Sequence, residues 1–425
     1  MTFNWAGNIE YGATNFHAPT SVEQLQSTVA AAPKVRAVGS RHSFNLIADT
    51  NGDQISLAAL TRVVELDPQA LTVTVDGGIK YGELVTILDD GGWALHNLAS
   101  LPHISIAGAC ATATHGSGLA NGNLATGVVG MELVTASGEI VEVSGDDDPE
   151  VLDAIVVGLG ALGIVTRLTL RVEPTFRVRQ SVFQYLPMAA ALDHLDEIMA
   201  DGYSVSLFTS WRPDVIEQVW RKRRVDVGSI DAVDAEGDDV GLLAQLGAAA
   251  ALEDVHPIVG LSAESCTQQM DVVGPWHERL PHFRMGFTPS SGVELQSEVF
   301  VSRADAADAM RTLIGLHDVL APVLLISEVR AVAADSLWLS PCYESDCIAL
   351  HFTWVPSWPE VEPVLKLVED ALEPFAPRPH WGKLSMLTGA TLRSRFPKLP
   401  AFQELMGEWD PTGKFRNPYL DALFT

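Results

Sequence analysis

Apolar and polar positions change rhythm repeatedly along this chain, and the rhythm marks its elements. Ile164–Val172 alternates with period two, as Leu71–Val75 does, and each reads as a half-buried strand. Helical spacing appears near 81–90 and 149–157. Ser21-Val22-Glu23-Gln24 is a capping-box pattern opening a helix that Pro33 closes, and an apolar strand, Val35–Val38, follows at once. Asn51-Gly52, Asp67-Pro68, Gly77-Gly78 and Ala136-Ser137-Gly138 are turn signals between further short strands. Pro174 marks a boundary, beyond which the elements lengthen. Strands are predicted near 176–185, 203–210, 216–224, 293–302, 324–332 and 346–355, with helices near 187–200, 303–318 and 359–373. The order predicts an α+β fold in which a second sheet is covered by helices. Residues 228–256, rich in Asp, Gly and Ala, are expected to form a partly mobile surface excursion.

Composition narrows the classes. A chain of 425 residues exceeds one ordinary core, so two domains are expected. With 54 acidic against 27 basic residues the net charge is −27, which repels nucleic acids and anionic membranes. The only basic run, Arg221-Lys222-Arg223-Arg224, reads as a solvated strand face. Cys110, Cys266, Cys342 and Cys347 lack framework spacing and suit reduced thiols in a cytoplasm. Cys342, Cys347 and His351 offer no complete tetrahedral set, so no metal is expected. No basic start precedes an apolar core at the N-terminus, and no run reaches the ~18 apolar residues of a membrane helix. A soluble, unexported protein is predicted.

The chemistry concentrates in two loops and three strands. Gly39 turns the chain sharply after Val38 and exposes successive N–H groups, a geometry suited to pyrophosphate, with Ser40, Ser43 and Asn45 alongside. His42 in that loop is either a nucleophilic imidazole or a turn histidine bonded to a carbonyl. A partner loop runs Ala113-Thr114-His115-Gly116-Ser117-Gly118. Gly158-Leu159-Gly160-Ala161-Leu162-Gly163 has the spacing of a dinucleotide fingerprint, but helix signals precede it and strand signals follow, the reverse of a Rossmann loop. It reads as a helix-to-strand turn whose glycines let a ligand approach the backbone closely. Period two puts Glu294, Gln296 and Glu298 on one strand face, Glu328 and Arg330 on another, and His351 and Thr353 on a third. Charges among such apolar neighbours are paired or functional. Lys383 stands between aromatic bulk and Gly382, where partial desolvation lowers a lysine pKa.

These pieces, with Asn4-Trp5-Ala6-Gly7-Asn8, Ala99-Ser100-Leu101-Pro102-His103-Ile104-Ser105, His380-Trp381-Gly382-Lys383 and Gly413-Lys414-Phe415-Arg416-Asn417, follow one order along nearly the whole chain. In that order they resemble the alditol oxidases of the vanillyl-alcohol-oxidase flavoprotein superfamily. The resemblance implies an α+β, two-domain flavoprotein: an FAD-binding domain of the PCMH type at 1–174, completed by the tail at about 405–425, and a cap with a large antiparallel sheet at 175–404. It implies FAD bonded covalently through His42. The cradle it implies comprises Ala37, Val38, Gly39, Ser40, Arg41, Ser43, Ser100, Ser105, Gly108, Thr112, Ala113, Thr114, His115, Val165 and Asn417. Ser100, Glu328, Arg330 and Lys383 would contact a polyol, with Gln296, His351 and Thr353 nearby. Arg330 and Lys383 would stabilise an alkoxide while Glu328 holds the guanidinium.

The implied reaction converts a terminal primary alcohol to an aldose, with dioxygen reduced to hydrogen peroxide, in a cytoplasmic monomer. Alternatives are an aldonolactone oxidase or dehydrogenase on the same scaffold, a flavin- or sugar-binding protein without turnover, and a nicotinamide dehydrogenase. Two positions depart from the pattern. Arg41 stands where relatives commonly have glycine, and it contacts either a phosphate or solvent. Cys110 lies where some superfamily members attach flavin a second time, although the alditol oxidases use the histidine alone.

Overall fold

A computed structural model describes residues 2–225 and 241–424 of the chain. Three sheets carry the architecture. Asn15–His17, Asp53–Ser56 and Val35–Val38 form a parallel trio with Asp53–Ser56 in the middle. An antiparallel sheet of five follows in the order Val63–Asp67, Thr72–Asp76, Ile164–Arg171, Val128–Val134, Ile140–Ser144. Its central strand is the alternating segment read from the sequence, and Ile164, Leu168 and Leu170 are buried on one face.

The large sheet runs Arg177–Pro187, Val215–Val225, Ser204–Thr209, Leu324–Val332, Cys347–Trp354, Leu295–Ser302, antiparallel between every pair. Leu207, Val219, Val299, Val329 and Leu350 point to one side and pack on Met310 and Leu313 of the Ala306–Ile314 helix and Val361 and Val368 of the Trp358–Leu372 helix. Each such side chain contributes about 1.5–3 kcal/mol of burial. That leaves the opposite face free to carry polar groups toward the first domain.

The predicted strands are all present within a residue or two, but some predicted helices are broken. The segment at 187–200 is two short helices, Met188–Asp193 and Leu195–Ala200, interrupted at His194. Helices Ile106–Ala111, Gly389–Arg395, Leu399–Trp409 and Pro418–Phe424 are additional; their short runs and internal or initial Gly and Pro hide any helical period. The tail packs on the parallel trio: Val35 N donates to Lys414 O at 2.9 Å, and Phe415 is buried beside Val35 and Ile55. Part of the predicted 228–256 excursion lies outside the described residues. The described remainder is largely at the surface, with Leu252 exposed, but it is tied down where Ala249–Ala250 pairs with Phe183 and Gln184 and where Leu243 is buried. The basic run is solvated only in part: Arg223 and Arg224 are exposed, whereas Lys222 is buried and the buried Arg221 pairs with Asp201 at 2.8 Å.

Candidate active site

The cradle begins where Val35–Val38 ends. A Cβ on Gly39 would meet Ser105 Oγ at 2.4 Å, so the turn lies directly against the start of the Ile106–Ala111 helix. Arg41 follows with φ 65°, a left-handed conformation that an L side chain adopts at a cost of roughly 1–2 kcal/mol. That backbone explains a preference for glycine at this position. The Arg41 guanidinium carbon stands 5.8 Å from the Phe16 ring centre. His42 stacks on Trp5, ring centres 5.4 Å apart, and burial pushes its pKa down to about 4, so the ring is neutral at pH 7. Among the described residues neither ring nitrogen has a well-formed hydrogen-bond partner, although the Ser40 backbone lies close enough to oppose the effect of burial.

His42 lines a cavity of about 1260 Å³ that adjoins a second of about 1110 Å³ along Val38, Gly39, Ser40, Ser105 and Gly108. Arg41, Ser43, Ser100, Thr112, Thr114 and His115 line the first, and Ala37 and Val165 the second. The glycine-rich 158–163 turn also walls the second cavity, between the Pro149–Ile155 helix and the Ile164–Arg171 strand. Buried Arg36 fixes that turn, donating to Leu159 O and Gly160 O at 2.9 Å. A neutral imidazole with both nitrogens bare, an unpartnered Ser105 Oγ and a floor of small residues fit a large dinucleotide.

Two cradle residues lie elsewhere. Ala113 is buried in the core with φ 54°, and Asn417 donates to Leu46 O and Asp49 O while accepting from Leu420 N. Neither lines these two cavities. Cys110 lines neither cavity as well; it faces Tyr81 in the core, and burial pushes its thiol pKa up to about 12.

The polar face of the large sheet closes the first cavity. Strand register puts Phe208, Glu328, His351 and Glu298 in one row across four strands, with Arg330 and Ser206 in the next and Gln296 beside Thr353. Glu298 is the hub: its carboxylate lies 2.8 Å from Lys383 Nζ, 3.2 Å from Arg330 Nη2 and 3.3 Å from His115 Nε2. Burial alone would raise its pKa, but Lys383, His115 and Arg330 hold it well below the usual carboxylate range. Glu328, likewise opposed by burial, is held low by Arg330 and His282. Burial lowers the Lys383 pKa against the pull of Glu298. Arg330 Nη1 donates to Ser100 Oγ at 3.2 Å, tying the two domains' polar groups together. His351 Nε2 stands 3.2 Å from Gln296 Oε1, and its Nδ1 is buried without a partner. Burial and the Lys383 charge push this ring's pKa down to about 3.

The sequence reading grouped Ser100, Gln296, Glu328, Arg330, His351, Thr353 and Lys383, and all of them line this cavity. It set His115 among the cofactor contacts, but that side chain faces Glu298. Glu298 was visible only as a partner of Gln296 by alternation. His282, 2.7 Å from Glu328, gave no signal because its segment has no regular period. Cys342 and Cys347 lie apart from His351, in an apolar cluster with Phe300 and Val332.

The FAD binding domain family matches residues 14–144, and the D-arabinono-1,4-lactone oxidase family matches residues 296–423. An alditol oxidase of Streptomyces sp. (strain IKD472 / FERM P-14339) is 48% identical, covering 99% of this chain and 98% of that protein. An L-gulono-1,4-lactone dehydrogenase of Mycobacterium tuberculosis (strain CDC 1551 / Oshkosh) is 31% identical over 98% and 97% of the two chains. The L-gulonolactone oxidase of Bos taurus is 26% identical over 99% and 97%. In fold, a solvent-stable cholesterol oxidase superposes with a TM-score of 0.75 at 15% identity, covering 100% of this chain and 97% of that one.

Proposed function

From the premise that this chain belongs to the alditol oxidases of the vanillyl-alcohol-oxidase superfamily, we propose that it oxidises the terminal primary alcohol of open-chain polyols to the aldose, with dioxygen as electron acceptor. The observation that carries the reading is the Glu298–Arg330–Lys383–Glu328 cluster, three members on one sheet face and Lys383 from the adjoining turn, in a cavity that continues to His42. Passive sugar binding does not require two buried cations held by two buried carboxylates.

His42 would bond the flavin covalently, and residues 38–43 with Ser105, Gly108 and Thr112 would hold it. FAD, when bound, supplies the hydride acceptor and passes the electrons to dioxygen. Arg330 and Lys383 meet the reacting hydroxyl and stabilise negative charge as its proton is drawn off. Glu298 keeps both cations in place, and Glu328 and Ser100 accept hydrogen bonds from neighbouring hydroxyls. The unpartnered Nδ1 of neutral His351 offers a further acceptor. Each unmet buried partner costs about 1–3 kcal/mol, so longer polyols are favoured over short ones. The four cysteines are free, the form a cytoplasm maintains.

The test is peroxide release with xylitol, sorbitol, glycerol and an aldono-1,4-lactone under one set of conditions. Five- and six-carbon polyols should give the highest kcat/KM. Turnover of the lactone with inert polyols would transfer the chain to the lactone enzymes.

A further inference from the structure

Lys222 is the one member of the basic run without a carboxylate in contact. Arg221 and Arg223, on the opposite strand face, pair with Asp201, and Arg224, near the strand's end, pairs with Glu173. Lys222 turns inward, because its position on the Val215–Val225 strand shares the face of Trp220 and Gln218, toward the polar side of the sheet. Buried there, its Nζ donates to Leu280 O at 2.5 Å and lies 3.0 Å from His282 Nδ1. His282 Nε2 lies 2.7 Å from Glu328 Oε1.

These contacts fix the direction of the chain. An ammonium or amine facing Nδ1 donates, and an ionised carboxylate facing Nε2 accepts, so the imidazole is neutral with its proton on Nε2. Burial and the Lys222 charge push its pKa down to about 4, consistent with that tautomer. The ring cannot swing aside, since Phe208 and Trp220 meet it edge to face at 5.5 and 5.1 Å. The same residue grips a second candidate polyol contact through its backbone: His282 N and Phe283 N donate to Ser100 O at 3.1 and 3.2 Å.

We propose that Lys222 and His282 form a positioning dyad for polyol recognition, in which Lys222 fixes the His282 tautomer and His282 holds Glu328 ionised and oriented. Both His282 and the Arg330 Nε contact fall on Glu328 Oε1, which leaves Oε2 for a substrate hydroxyl. The inference rests on the reading of Glu328 as a polyol contact. Without the Lys222 donor the imidazole is free to move its proton to Nδ1, and a bare Nε2 then faces the carboxylate.

The test uses flavin-loaded Lys222→Met, His282→Gln, His282→Leu, Glu328→Gln and the Lys222→Met/Glu328→Gln double variant. Lys222→Met and His282→Leu should raise KM for xylitol about 10- to 100-fold with kcat lowered less, while dithionite-reduced enzyme reoxidises in air at the wild-type rate. Glutamine at 282 can accept from Lys222 and donate to Glu328, so His282→Gln should stay within about fivefold of wild type. In the Glu328→Gln background Lys222→Met should add nothing further. If Glu328→Gln leaves the xylitol KM unchanged, the polyol reading of Glu328 fails. If Glu328→Gln raises KM but Lys222→Met does not, or their effects multiply, the dyad is overturned. Should Lys222→Met fail to load flavin, the two His282 variants decide: equal losses in both would also overturn it.

Discussion

Replacing Glu298 by Gln keeps the side chain's shape and removes the one charge that Lys383, Arg330 and His115 share. The carboxylate is fully buried, and Arg330 is nearly so. Breaking a buried ion pair by neutralising one partner costs about 3–5 kcal/mol, because the remaining charge is left uncompensated. Arg330 keeps a second carboxylate, Glu328, at 3.5 Å, which holds the loss toward the lower end of that range. The sign with pH follows from the depressed folded pKa of Glu298. Its contribution is fully present above the unfolded value of about 4.3 and is lost as pH falls through the folded value. Urea denaturation of the two holoenzymes should therefore show a gap of about 3 kcal/mol that is constant from about pH 8 to 5 and narrows in stronger acid. Activity should fall as well, since both cations proposed to stabilise the alkoxide lose their anchor. A gap below about 1 kcal/mol at neutral pH, or one that widens on acidification, would refute the view of Glu298 as the hub.

Three further outcomes are expected. His42→Ala should give a colourless pellet on acid precipitation and lose the flavin mass from the denatured chain; a yellow pellet would rule out the His42 bond. Arg330→Lys cannot reach Ser100, Glu298 and Glu328 together, so kcat/KM for xylitol should fall about 10- to 150-fold, the equivalent of 1.5–3 kcal/mol, and a loss below threefold would contradict that role. Cys110→Ala should leave the covalently bound flavin mass unchanged, with a stability loss of about 1 kcal/mol from the small void beside Tyr81; loss of a flavin bond would place the thiol in the cradle after all.

The sequence carried what is periodic. Alternation located the strands of the large sheet and correctly split Glu328 and Arg330 from Val329, because a two-residue period assigns faces without knowledge of neighbours. It could not supply strand order, so the row from Phe208 to Glu298 and the hub at Glu298 became visible only in three dimensions. The Arg221–Arg224 run misled for the same reason: three of its cations find carboxylates, and the fourth is carried under the sheet to His282. His282 itself belongs to an irregular segment whose position is set by Ser100 and Thr267 backbone contacts, a long-range feature with no local pattern. The cavity-lining turn after Val38 was legible because Gly39 leaves a chemical reason in the chain, whereas the left-handed Arg41 became visible only in the structure. Asn417 was drawn into the cradle by resemblance, whereas its amide secures the tail to the 46–49 turn.

The most direct measurement is an anaerobic absorbance titration of the purified protein with xylitol, followed by admission of air with peroxide detection. A yellow protein that xylitol bleaches, and that air restores with release of one peroxide per flavin, is the expected result. A yellow protein that xylitol leaves oxidised would contradict polyol oxidation at the Glu298–Arg330–Lys383 cluster, and a colourless protein without extractable FAD would contradict the cradle at His42.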